Sequence, residues 1–171
     1  EGGAAYYEVN NGSWTKIDVN DPKIAPQGYL IYTNHSYTGR LDDGMGYVRY
    51  TTAEKIMKEQ IGRNGEITPK WIFQNLSRSF YHSVLGIDLN KDCDLVAKCN
   101  GWFMDQDFIP RKSTGCSIVV EGVEKGENPA NTVMWTILGY APIGVAVPLM
   151  VANGENIPSF MTAEGTENAR M

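Results

Sequence analysis

Two helical patterns stand next to each other in the middle of the chain, and the sequence on both sides of them is β-patterned. The first is announced by Thr51-Thr52-Ala53-Glu54, a capping box in which a Thr hydroxyl and a Glu carboxylate satisfy free N–H groups at a helix start. Ala53, Ile56, Met57 and Ile61 then share one helical face, and Gly62 stops it. The second opens at Thr68-Pro69, with Thr as cap and Pro at the first helical position. Ile72, Phe73, Leu76 and Phe80 form its buried stripe, and it is expected to run to about Gly86. Strands, then helices, then strands place the helices on one side of a mainly antiparallel sheet, which is an α+β layout.

The flanks supply the strands. Residues 5–9 and 13–19 bracket Asn10-Asn11-Gly12, a strong hairpin signal. Residues 20–28 hold Pro22, Pro26 and Gly28 and read as a loop. A short apolar strand is expected over 29–33. Beyond the helices, 113–120, 131–138 and 143–151 are three extended runs. Their near-continuous apolar character predicts a sheet covered on both faces. Residues 88–108 are irregular. Asp88-Leu89-Asn90-Lys91-Asp92 has the oxygen spacing that opens a calcium loop, but Cys93 and Cys99 stand where such a loop needs Gly and Glu, so a solvated turn is the default. Trp102 and Phe103 are expected to pin this stretch to the core. Residues 155–171 are polar and read as a frayed end, or as the start of an element that continues elsewhere.

The chemistry concentrates in residues 29–50, YLIYTNHSYTGRLDDGMGYVRY. An apolar strand delivers Thr33, Asn34 and His35 at its end, and a loop with Gly39, Gly44 and Gly46 brings back Tyr47 and Arg49 just before the first helix. Polar groups at a strand tip, faced by an arginine from a returning loop, are a usual way for a scaffold to present a site. An Asn amide donates to a developing oxyanion, and an Arg holds a carboxylate or steadies a charged nucleophile. The competing reading is an Asx-turn at Asn34 and a surface Arg49. His35 points to the face opposite Asn34 if the strand continues, which makes it a packed or rim histidine rather than a base.

Thr33-Asn34, a glycine-rich gap and Tyr47-x-Arg49-Tyr50 leading into a helix resemble a pattern in the N-terminal nucleophile (Ntn) hydrolases. The similar branches are the choloylglycine (bile salt) hydrolases and the acyltransferases related to the penicillin-forming acyl-CoA:6-aminopenicillanic acid enzyme. The opening Gly2-Gly3-Ala4-Ala5-Tyr6-Tyr7-Glu8, the segment Arg111-Lys112-Ser113-Thr114, the turn Gly122-Val123-x-x-Gly126-Glu127 and Met134-Trp135-x-x-Leu138-Gly139 extend the resemblance along most of the chain. It implies a four-layer αββα sandwich, of which 1–171 is a single domain's C-terminal part, contributing to both sheets and one helical layer. It implies an amidase acting on linear, non-peptide C–N bonds of acyl amides, with no cofactor and no metal. Asn34 matches the oxyanion-binding Asn and Arg49 the Arg that orders the nucleophile; His35 and Tyr47 fall on the substrate rim. The family nucleophile is a mature N-terminal Cys with its own α-amine as base, a sensible pairing because that amine titrates near neutrality. Glu1 stands first here, so the Cys is expected upstream of this sequence. The alternative is a non-catalytic relative that keeps the scaffold and binds a small acyl ligand or a protein partner.

Composition narrows the partners. With 171 residues the chain suffices for a domain with a real core, and 15 basic against 20 acidic residues give a net charge of −5. Lys and Arg nowhere cluster into the footprint that a phosphate backbone requires, so nucleic acid is not expected. No apolar run has membrane-spanning length, the longest being broken by Pro148. The expected partners are an acyl amide substrate and either the upstream segment or a second copy, since bare strands invite pairing. Cys93 and Cys99 pair or stay free, and the compartment is left open, an exported protein with its signal upstream being one reading. Cys116 is expected as an inert core thiol in mid-strand, and His82 as a helix-surface or capping residue. No Gly-x-Ser-x-Gly elbow, zinc spacing or phosphate loop occurs.

Overall fold

A computed structural model describes residues 5–33, 46–92, 105–154 and 156. Strands β1 (Ala5–Asn10) and β2 (Ser13–Asp18) form the expected hairpin, in register from Ala5↔Asp18 to Asn10↔Ser13. Asn11 (φ 50°) and Gly12 (φ 79°) both take the left-handed conformation that a two-residue hairpin turn demands. Residues 29–33 form no ladder, contrary to the expected strand. Tyr29, Leu30, Ile31 and Tyr32 instead line a pocket with Tyr50 and Glu54, so their apolar contacts come from a helix rather than from a neighbouring strand.

Helix α1 spans Tyr47–Gly62, starting one turn before the capping box. The box residues lie inside the helix, and their hydroxyls are used elsewhere. Thr51 Oγ1 donates to the Val48 carbonyl at 3.0 Å. Thr52 is fully buried and accepts from the Ser83 N–H at 3.1 Å. Glu54 pairs instead with Lys58 at 3.0 Å, one turn on. Helix α2 (Pro69–Ile72) begins as read, with the Thr68 hydroxyl accepting from Trp71 N–H at 3.1 Å. It then widens into a π-helical turn, Phe73–Ser77, and stops there rather than near Gly86. Arg78 accounts for the stop: its Nε and Nη2 donate to the carbonyls of Ala141 (2.9 Å) and Gly144 (2.7 Å), tying the helix end to a distant loop. The chain continues as a second small hairpin, β3 (Tyr81–His82) with β4 (Ile87–Asp88). Tyr81, read as helical, is an aromatic residue that suits a strand as well.

Strands β5 (Cys116–Glu121), β6 (Val133–Leu138) and β7 (Val147–Met150) form an antiparallel sheet in that order. Its inner face carries Val119, Trp135 and Ile137, which pack with Phe73, Ala141 and Ala146 as the core. Gly144 is where the β6–β7 loop closes on this core: a Cβ there would stand 2.2 Å from Ile137 Cγ2. The outer face is covered only in part, as at Thr136 (5% exposed), against the expectation of cover on both faces. Ile118 (51% exposed), Val120 (62%) and Leu138 (54%) lie on it, with Cys116 opposite Leu138 in register. Cys116 is therefore an exposed thiol at the start of β5, not a core thiol. The described residues thus combine helices with antiparallel sheets, an α+β architecture.

Candidate functional site

The candidate site forms where the first turn of α1 meets the β3–β4 hairpin and residues 105–111. The chain leaves the described part at Thr33 and re-enters at Gly46. These two residues touch: Thr33 Oγ1 donates to the Gly46 carbonyl at 2.8 Å. Gly46 has φ 124°, and a Cβ there would stand 2.9 Å from Thr33 Oγ1 and 3.1 Å from the Thr33 carbonyl. Thr33 and Gly46, thirteen positions apart, therefore stand side by side. Asn34 and His35 lie outside the described residues. Asn34 is nonetheless bonded to Thr33, and Arg49 follows Gly46 within one helical turn.

Arg49 is not the surface residue of the bland reading: it is 8% exposed. Its Nη1 donates to the Gln106 carbonyl at 3.4 Å, so a segment far along the chain covers it. Burial, and then the like charge of Arg111, hold the Arg49 guanidinium below its ordinary value; Asp107 works in the other direction. Arg111 Nε is buried and has no hydrogen-bond partner among the described residues. Tyr47 stands half-buried at the first position of α1.

His82, Asp107 and Arg111 join this cluster without having been singled out as site residues from the sequence. His82 is 8% exposed on β3 rather than on a helix surface. Its Nδ1 accepts from the Leu85 N–H at 3.2 Å, which places the neutral ring's proton on Nε2. Nε2 faces Asp107 Oδ2 at 3.9 Å, and the ring packs edge-on against Phe108, with centroids 5.7 Å apart. Phe108 also meets Phe80, and Pro110 is fully buried, so residues 105–110 are seated firmly on the helix–hairpin junction. Only the motif around Arg111 carried a signal in the sequence; His82 and Asp107 are lone residues without a spacing to find them by.

Two guanidiniums within electrostatic reach in a partly desolvated place stabilise negative charge beside them. Beside α1, a pocket of about 340 Å³ opens between Tyr29, Leu30, Tyr32, Tyr50 and Ile24. Burial there pushes the Tyr29 hydroxyl's pKa up, and its O–H donates to Gln27 Oε1 at 2.6 Å. Cys116 stands apart, on a sheet face where its register partner Leu138 and its neighbour Ile118 are apolar. Asp88 is engaged by its own turn: Oδ1 accepts from Asn90 N–H at 3.1 Å and Oδ2 meets Lys91 Nζ at 3.2 Å. Among the described residues no three His, Cys, Asp or Glu side chains converge to hold a metal ion. No helix among them is long and apolar enough to cross a membrane. Cys93, Cys99, Trp102 and Phe103 lie outside the described residues. No family model, curated protein or solved structure matches the chain.

Proposed function

We propose that this chain is the oxyanion-binding and site-ordering part of an N-terminal nucleophile amidase that cleaves linear C–N bonds of acyl amides. The observation that carries the reading is the Thr33–Gly46 hydrogen bond, 2.8 Å, which ties the residue before Asn34 to the start of the helix bearing Arg49. In this reading a thiolate supplied from outside residues 1–171 attacks the amide carbonyl. The oxyanion that forms takes the Asn34 amide N–H. The C–N bond breaks, the amine leaves with a proton from the nucleophile's own α-ammonium, and water then hydrolyses the thioester. Arg49, buried and rigid in the first turn of α1, keeps the thiolate and the oxyanion in place by charge. His35 and Tyr47 border the substrate.

Two further observations support it. The pocket beside α1 is of mixed lining, with Ile24, Leu30 and Ile31 offering an apolar side to an acyl group and Gln27 and Glu54 a polar one. The exposed apolar residues on the outer face, Ile118, Val120 and Leu138, are what one half of a sheet-on-sheet packing presents, as the four-layer αββα arrangement requires. The test is release of free amine from a panel of N-acyl amides, including bile-acid conjugates, penicillin-type side-chain amides and N-acyl amino acids. The full-length gene product is expected to release amine from at least one, and residues 1–171 alone from none. Silence of the full-length protein across the panel overturns the proposal in favour of a non-catalytic binding scaffold.

A further inference from the structure

A second concavity lies toward the other end of α1. It is walled by the C-terminal half of α1, by α2 with its π-turn, and by the β3–β4 hairpin, and it measures about 590 Å³. That is ample for a small ligand. Gln60, on its wall, is eleven residues along α1 from Arg49, about 16 Å at the rise of a helix. The cleft is therefore separate from the amidase site and does not depend on that reading.

Each of its charged side chains already has a partner. Glu59 pairs with Arg63 at 3.8 Å, and Asp88 with Lys91 at 3.2 Å. Lys55 donates to the Tyr81 hydroxyl and sits 4.7 Å from the centre of that ring. A phosphate or sulfate would meet cations that each already hold one contact, so an anion is the competing ligand class.

The amides on the walls remain open. Gln74 and Asn90 are exposed, and their side chains make no hydrogen bond among the described residues. Gln60 and Asn75 use only their nitrogens, donating to the Glu66 carbonyl (2.8 Å) and the Trp71 carbonyl (2.9 Å). Their carbonyl oxygens are held in place and still accept. Trp71 adds a wide aromatic surface to the same wall. A ligand that suits this lining is uncharged, rich in hydroxyls that both donate and accept, and apolar on one flat side.

We infer that this cleft binds a neutral oligosaccharide, with a pyranose ring against Trp71 and its hydroxyls on the amides of Gln60, Gln74, Asn75 and Asn90. The test titrates isotopically labelled protein with maltotriose, cellotriose and triacetylchitotriose, up to about 10 mM, the range of weak binding. The readouts are the indole N–H of Trp71 and the side-chain amide resonances of the four Asn and Gln residues. At least one neutral trisaccharide is expected to shift these signals saturably. The double variant Gln74→Ala with Asn90→Ala, both at exposed positions, is expected to weaken that binding about tenfold or more while leaving the rest of the spectrum in place. Inorganic phosphate and a sulfated trisaccharide form the anionic arm. Absence of saturable shifts with every neutral probe, shifts with the anions only, or unchanged affinity in the double variant each overturns the inference.

Discussion

Gly46 has a backbone conformation and a neighbour that exclude a side chain. Its φ of 124° and the 2.9 Å approach of Thr33 Oγ1 to a would-be Cβ act together at the hinge of the candidate site. Gly12 offers the contrast: it has a positive φ but open space around it. Gly46→Ala is expected to cost about 1–3 kcal/mol and to open the Thr33 contact, as read by chemical denaturation. A variant as stable as the parent would mean that this contact is dispensable. The sequence singled out Arg49 as a candidate site residue, but its burial was not legible there. The cover comes from Gln106 and its neighbours, 57 positions away, and no local pattern announces such a contact.

At the scale of elements, local chemistry was readable and partner choice was not. The β1–β2 turn, the Thr68 cap and the stop at Gly62 follow from residue types in their own neighbourhoods. The capping box failed because Thr51 lies a turn inside the helix, where its hydroxyl meets the Val48 carbonyl and the Ser83 hydroxyl, 32 positions on. The second helix ended early because Arg78 is taken by the β6–β7 loop. The apolar run of β5 was rightly read as a strand, yet apolarity says nothing of what covers each face. Ile118 and Val120 point outward, whereas Ile137 is fully buried. In residues 1–171 alone, replacing both Ile118 and Val120 with Lys is expected to leave unfolding free energy nearly unchanged and to reduce any self-association in sedimentation. Ile137→Ala should instead cost about 2–5 kcal/mol. Equal destabilisation by the two changes would contradict the assignment of an inner and an outer face.

Across the whole molecule, the order of patterns was enough to anticipate helices beside antiparallel sheets. The four-layer sandwich belongs to the proposal, because it depends on a second sheet about 10 Å away, across the face that carries Ile118 and Val120. The same holds for the site, whose halves are Arg49 within α1 and Asn34 beyond Thr33. The hydrogen bond between Thr33 and Gly46 is the physical reason to bring those halves together. A double-mutant cycle on amine release by the full-length protein, with Asn34→Ala, Arg49→Ala and the pair, measures whether they act on one oxyanion. Non-additivity of about 0.5–3 kcal/mol in kcat/KM is the predicted result, whereas effects that add within about 0.5 kcal/mol would contradict a shared site.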